Sequence, residues 1–262
     1  MADKPKTSGK WGDLLPRVLS GVVLAIVGLS EIWLGGMAFA LFAALATGLI
    51  GWEIARLVAP LRPAAWVGIG LMLAGGLLLS LGQAPLWTAL VLLFSVLASV
   101  AAVGANGDRT RAVLYFGWVV VAGWGLIELR AGGMAPVFWL IGVVVATDIA
   151  GYFVGRMLGG PKFWPKVSPK KTWSGTVAGW VAAAIVGWLF VPALGAGIIW
   201  LSVIVSFAGQ MGDAAESALK RAKGVKDVSA LIPGHGGVFD RFDAIMGAAF
   251  VVTLARLASL GG

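Results

Sequence analysis

The sequence has no cysteine and few charged residues. None of its 262 residues is Cys, so disulfide bonds and thiolate metal sites are excluded. Charged residues make up only 12% of the chain, against about 25% in an average soluble domain. This scarcity excludes a soluble globular enzyme, and the 59% of hydrophobic residues excludes an intrinsically disordered chain. The 39 glycines do not recur at every third position, which excludes a collagen-like fibre.

Long apolar runs are abundant instead. A membrane-spanning helix needs about 20 mostly apolar residues, and turn-forming Gly, Pro or Asn residues separate nine such runs here. The runs cover residues 17–34, 36–52, 64–82, 84–104, 112–130, 134–155, 174–194, 195–219 and 242–260. We therefore predict an all-α, polytopic integral membrane protein with about nine transmembrane helices.

The chain divides into three predicted regions. Residues 1–16 form a basic cytoplasmic tail, and residues 17–133 form N-terminal transmembrane helices that serve as a scaffold. Residues 134–262 form a transmembrane catalytic region with two polar loops, at 156–173 and 220–241.

The basic residues predict how the chain crosses the membrane. With nine spans, the N-terminus and every second loop share one side, and 18 of the 20 Lys and Arg residues fall there. The opposite side receives only Arg130 and Arg256. Because cytoplasmic loops carry the excess of basic residues, we predict a cytoplasmic N-terminus and cytoplasmic polar loops. The C-terminus is predicted to lie outside.

The first polar loop is strongly basic. Five cations and no anion occur from Arg156 to Trp173. A basic loop beside a membrane attracts phosphate, on a lipid headgroup or on a nucleotide. The same charges can serve only to anchor the loop on one side. The run Ser168-Pro-Lys-Lys-Thr172 favours phosphate binding, because hydroxyls and free backbone N–H groups at a helix start suit an anion.

Polar residues also occupy the end of the eighth predicted span. Gln210, Asp213, Ser217, Lys220 and Arg221 share one face of a helix with 3.6 residues per turn. Polar side chains at that depth generally face a cavity or a partner. This face is therefore a candidate for part of a site.

A glycine-rich loop and two aspartates follow. The sequence Gly234-His-Gly-Gly237 lets the backbone approach a ligand closely, although it can equally form a simple turn. Asp240 and Asp243 share a face at the start of the last helix, and with Asp213 they offer hard oxygen ligands that suit Mg²⁺. Alternatively, Asp240 and Asp243 stabilise the positive end of the helix dipole.

Three acidic residues lie in or near other spans. Asp148 falls inside the sixth span, on one face with Tyr152 and Arg156, and an ionisable residue inside a span indicates function. Glu53 and Glu128 lie at span ends, where we predict a solvated, interfacial position for both.

Residues 217–243 resemble the signature of the phosphatidate cytidylyltransferase (CDP-diacylglycerol synthase) family. Ser-x-x-Lys-Arg, Lys-Asp and Pro-x-His-Gly-Gly-x-x-Asp-Arg-x-Asp occur there at every defining position. The pair Gly212-Asp213, the 168–172 run and the stretch 148–156 extend the resemblance over about residues 145–245.

The resemblance implies a reaction and its requirements. In that family CTP and phosphatidic acid give CDP-diacylglycerol and pyrophosphate, with Mg²⁺, a second cation such as K⁺, and a homodimer. The implied location is the bacterial inner membrane, with the site open to the cytoplasm. The implied partners are these two substrates and membrane lipid, and neither DNA nor RNA is expected.

By motif, the implied catalytic residues are Lys171 and the three metal ligands Asp213, Asp240 and Asp243. We predict that His235 shapes the loop rather than acting as a base. The implied substrate contacts are Ser168, Lys170, Thr172, Ser217, Lys220, Arg221, Lys226, Asp227, His235, Gly236, Gly237, Arg241, Asp148 and Tyr152.

Two alternatives belong to other functional classes. In a transporter or ion channel, Asp148 and Asp213 would form a relay inside the membrane. That function does not explain a glycine-rich loop outside the bilayer. A phosphotransferase that consumes CDP-activated lipid would carry an Asp-Gly-x-x-Ala-Arg motif, which this sequence lacks.

The nine-span topology can be tested with a reporter fused after residue 262. We expect the reporter to read outside the cytoplasm, because an odd number of spans places the two termini on opposite sides. A fusion that reads cytoplasmic would contradict the nine-span topology.

Overall fold

The computed structural model describes residues 14–260, with side chains for 18–259. The predicted basic tail at 1–16 therefore lies almost entirely outside the described residues. The described chain forms the helices α1 Leu14–Leu34, α2 Gly36–Val58, α3 Pro63–Leu79, α4 Pro85–Val103, α5 Arg109–Ala131, α6 Met134–Leu158, α7 Trp173–Leu189, α8 Val191–Leu194, α9 Ile198–Lys223 and α10 Phe239–Leu260. Two short strands, β1 Lys162–Trp164 and β2 Ser168–Thr172, lie between α6 and α7.

The predicted fold class, an all-α polytopic membrane protein, is confirmed. Each of the nine predicted apolar runs lies on a helix, and α8 is a single short turn at the end of the seventh run. Among the described residues, six helices are long and apolar enough to cross a membrane: α2, α4, α5, α6, α9 and α10. The apolar part of α1, together with α3 and α7, is shorter, so the number nine stays a prediction.

The first polar loop contains a hairpin that the sequence did not predict. Strands β1 and β2 pair antiparallel, with Lys162 opposite Thr172. The ring of Phe163 packs edge-on against that of Trp173, with 4.8 Å between their centroids. This contact attaches the hairpin to the start of α7, which a count of local hydrophobic periodicity cannot reveal.

Glycines set the close packing of the helices from α6 to α10. Helices α9 and α10 approach at Gly212 and Gly247, where a Cβ on Gly247 would lie 3.0 Å from the Cα of Gly212. Helices α6 and α7 approach in the same way, since a Cβ on Gly175 would lie 3.3 Å from the Cα of Gly155. Small residues permit such backbone approach between membrane helices. The α9–α10 contact brings the polar end of α9 beside the first turns of α10.

Contacts between loops group them at two opposite ends. At one end, the Asp108 N–H donates to the carbonyl oxygen of Val58 at 2.8 Å, and Lys223 Nζ donates to Asp108 Oδ2 at 3.0 Å. Burial alone would raise the pKa of Asp108, but hydrogen bonds from Lys223 and Arg111 lower it to about 2. At the other end, Arg130 Nε donates to the carbonyl oxygen of Ile32 at 2.6 Å. The loops that follow α2, α4 and α9 therefore lie at one end, and those that follow α1 and α5 lie at the other.

Candidate active site

Three carboxylates from two helices form the centre of the site. Asp213 and Glu216 extend from α9, and Asp243 extends from the second turn of α10. One oxygen of each lies within 4.8 Å of the others. Glu216 is fully buried. Like charges this close repel strongly, so the cluster requires cations beside it.

Two lysines supply part of that compensation. Lys171, on β2, forms an ion pair with Asp213. Lys220, one turn after Glu216 on α9, places its Nζ 2.6 Å from Glu216 Oε1 and 2.7 Å from Asp240 Oδ1. The hairpin and α9 thus each direct one ammonium group towards the carboxylates.

The compensation is incomplete. Asp148, on α6, lies close enough to Lys171 and Asp213 for their charges to act on its carboxyl group. It also acts on Asp243. Five carboxylates, counting Asp240, therefore share the site with two ammonium groups, an excess of three negative charges when all are ionised. Oxygen ligands in this number suit a divalent cation such as Mg²⁺, which prefers carboxylates together with substrate phosphates.

A cavity of about 630 Å³ opens beside the cluster, between α6, the hairpin, α7 and α9. Its volume is within the range of small-molecule sites, about 300–1,000 Å³. Arg156, Lys162, Lys170 and Lys171 line it, whereas Asp148 is the only carboxylate among its described lining residues. The cavity is therefore cationic and adjoins an anionic cluster.

Comparison with known proteins identifies the family of this chain. Residues 15–258 match the family model described as "Cytidylyltransferase family". The chain belongs to the cytidylyltransferase family. A relative named phosphatidate cytidylyltransferase from Brucella suis is 38% identical over 261 residues, covering 92% of this chain and 93% of the relative. A relative of the same name from Bacillus subtilis is 34% identical over 254 residues, covering 89% of this chain and 94% of the relative.

The family recognised in the sequence is thereby confirmed, and the chain is a nucleotidyltransferase. The structure brings together several residues that the family resemblance implied as parts of the site. Five of them line the cavity: Asp148, Tyr152, Lys170, Lys171 and Thr172. Thr172 also begins α7, because its Oγ1 accepts the N–H of Gly175 at 3.3 Å. That contact takes up one of the free N–H groups expected at this helix start.

Asp240 differs from its two predicted co-ligands. Its Oδ2 accepts the N–H groups of Val228 at 3.0 Å and of Gly237 at 2.7 Å, while its Oδ1 accepts from Lys220 Nζ. Asp240 therefore binds the glycine-rich loop, and Glu216 joins Asp213 and Asp243 in the cluster instead. Sequence reasoning saw that Asp240 and Asp243 share a helix face. It could not show that the loop folds back onto the first of them.

His235 and Gly236 lie in a tight turn that the Ile232–Gly236 bridge closes, and Gly237 follows this turn. His235 Nδ1 is 2.7 Å from the Ser20 hydroxyl of α1. Gly236 has a φ of +86°, which favours glycine. A Cβ on Gly237 would lie 3.0 Å from Asp240 Oδ2. The space left by these glycines is filled at least partly by carboxylates of the protein itself.

Several predicted contact residues lie away from the cluster. Four of them are exposed: Arg221, Lys226, Asp227 and Arg241. Ser168 and Ser217 are half-buried. Arg241 lines a second, largely apolar cavity of about 380 Å³ between α1, α2, α5, α6 and α10. The predicted polar face of α9 is therefore divided, since Arg221 points to solvent while Gln210 lines the cationic cavity.

The predicted solvated position of Glu53 is wrong. Its side chain is fully buried and accepts hydrogen bonds from Ser229, Val238 and Phe239 of the second polar loop and α10. The physical reason is long-range, because these donors lie 176 to 186 residues further along the chain. The one available signal was an acidic residue at the end of an apolar run, and that signal does not reveal its partners.

The role of Asp240 in holding the loop can be tested by Asp240→Asn. The substitution removes the charge opposite Lys220 and places an amide against the loop N–H groups, so we expect the loop to open more often. Trypsin cleavage after the exposed Lys226 should accelerate about tenfold, as measured by mass spectrometry of timed digests. Cleavage after Lys166 in the hairpin is the internal control and should keep its rate. An unchanged rate after Lys226 would contradict this role.

Proposed function

We propose that this protein catalyses the reaction of CTP with phosphatidic acid to give CDP-diacylglycerol and pyrophosphate. The observation that carries the proposal is the anionic cluster of Asp213, Glu216 and Asp243 beside a cationic cavity of nucleotide-accommodating size. The two relatives that align with most of this chain are both named phosphatidate cytidylyltransferase.

We assign Mg²⁺ to the three-carboxylate cluster. Asp213, Glu216 and Asp243 would hold it, and Asp240, the third ligand predicted from sequence, supports the cluster through Lys220. When bound, Mg²⁺ would neutralise charge on the nucleotide phosphates and on the departing pyrophosphate. When all five carboxylates are ionised, the excess of three negative charges is larger than the charge of one divalent ion. We therefore also propose a second cation such as K⁺.

The cations of the cavity bind the polyphosphate. Lys170 and Lys171 on β2, with Arg156 and Lys162 beside them, offer ammonium and guanidinium groups to the triphosphate of CTP. Positioning and neutralisation are the main catalytic requirements for transfer at phosphorus, because two polyanions must meet.

The lipid phosphate acts as the nucleophile. One of its oxygens forms a bond to the α-phosphorus of CTP. The bond from the α-phosphorus to the oxygen that bridges it to the β-phosphorus breaks, which releases pyrophosphate. The attacking oxygen is already anionic, so no base is required. His235 is accordingly assigned to the loop, where it contacts Ser20. Arg241, beside an apolar cavity, offers a cation to a headgroup whose acyl chains stay in the bilayer.

We also propose a bacterial inner-membrane location with both polar loops in the cytoplasm, where the basic residues are concentrated.

We further propose the homodimer that the family resemblance implies. The mass of the purified protein in detergent, corrected for bound detergent, should be that of two chains. A mass of one chain would remove the dimer from the proposal.

The metal assignment can be tested by Asp243→Ala. We expect this variant to lose incorporation of labelled CTP into lipid, because the cluster loses a ligand, and a chelator should have the same effect on the wild type. The amount of protein in the membrane fraction should stay normal. Normal turnover in Asp243→Ala would contradict the assignment.

His235→Ala separates a loop residue from a catalytic one. We expect this variant to retain most of its activity under the same assay. A loss as large as that of Asp243→Ala would make His235 part of the chemistry.

A further inference from the structure

Glu53 is a buried carboxylate that the proposed reaction does not use. It belongs to α2, within the region predicted to be a scaffold, and none of its surface is exposed. An ionised carboxylate in such a position is costly unless hydrogen bonds or opposite charges compensate it. Its neighbours therefore indicate why the residue is there.

Among the described residues, the hydrogen bonds that compensate Glu53 come from the second polar loop and the start of α10. Glu53 Oε1 accepts the hydroxyl of Ser229 at 2.5 Å and the N–H of Val238 at 2.9 Å. Oε2 accepts the N–H of Phe239 at 2.7 Å. Val238 and Phe239 supply two of the N–H groups that remain unpaired at a helix N-terminus, and the helix dipole also favours an anion there.

The contact fixes the part of α10 that carries the site. Phe239 begins α10, Asp240 is next, and Asp243 follows one turn later. Gly237 is enclosed between two carboxylates, since a Cβ there would lie 2.9 Å from Glu53 Cδ and 3.0 Å from Asp240 Oδ2. The loop is thus bound from two sides, by α2 and by the first turn of α10.

We infer that Glu53 is a positioning residue for catalysis. By binding Ser229 within the loop and the N–H groups of Val238 and Phe239 at its end, it holds the first turns of α10 so that Asp243 faces Asp213 and Glu216. Its effect on turnover rests on the proposed function, whereas its effect on the loop does not.

The absence of cysteine allows a direct test of the loop. Val238→Cys introduces a single thiol at a buried position, 7% exposed, and preserves the backbone N–H that Glu53 binds. Adding Glu53→Gln replaces an acceptor oxygen with a donor, so we expect thiol labelling at this position to accelerate about tenfold. The control is Ala112→Cys, which is fully buried on α5 and should keep its labelling rate. No acceleration at Val238→Cys, or an equal acceleration at both sites, would overturn the inference.

Kinetics provide the second readout. We expect Glu53→Gln to lower kcat about tenfold or more and to leave KM for CTP within about threefold, because the cationic cavity is untouched. Ser229→Ala keeps both backbone bonds and should lower kcat less. Thr47→Val is the matched control on α2, since the buried Thr47 Oγ1 has no hydrogen-bond partner among the described residues. It should retain wild-type kcat.

The proposed function and the role of Glu53 can be refuted independently of each other. A wild type without cytidylyl transfer refutes the proposed function, and the labelling test still decides the role of Glu53. Wild-type kcat in Glu53→Gln overturns the positioning role alone. If Glu53→Gln does not fold, Gly237→Ala perturbs the same contact from the loop side. It should lower kcat with little change in KM for CTP, and an unchanged kcat there would also overturn the inference.

Discussion

The close approach of α9 and α10 is the constraint on which the site depends. Because Gly212 and Gly247 have no side chain, the two backbones meet, and three carboxylates come within 4.8 Å of one another. Their repulsion would separate the helices without compensation. Lys220 on α9 and Lys171 on β2 provide part of this compensation. These two lysines leave an excess of three negative charges when all five carboxylates are ionised, and a cation that arrives with a nucleotide would reduce that excess.

The sequence predicted the fold class and the family. Apolar runs separated by turn residues locate the helices, because a bilayer imposes their length and every backbone group must be paired within them. The signature at residues 217–243 identifies the family without any structure. Alternation of basic loops predicts which loops lie together, and the contacts of Asp108 with Val58 and Lys223 agree with it.

The remaining features depend on contacts that local patterns do not contain. Glu53 looked like an interfacial residue because its partners are distant in sequence. Asp240 and Asp243 looked equivalent because spacing reports a shared face and not what packs on it. Glu216 lies one residue before the signature, and its place in the cluster depends on the packing of α10 against α9. Helix α2 therefore contributes a carboxylate that binds the second polar loop and the start of α10.

The central claim is that Asp213, Glu216 and Asp243, rather than Asp240, hold the divalent cation. Mn²⁺ accepts the same carboxylate ligands as Mg²⁺ and scatters X-rays anomalously. Crystals of the protein grown with Mn²⁺ should show an anomalous peak among those three side chains, with Asp240 still hydrogen-bonded to the N–H of Gly237. A peak coordinated by Asp240 without Glu216, or no peak at the cluster, would contradict the account.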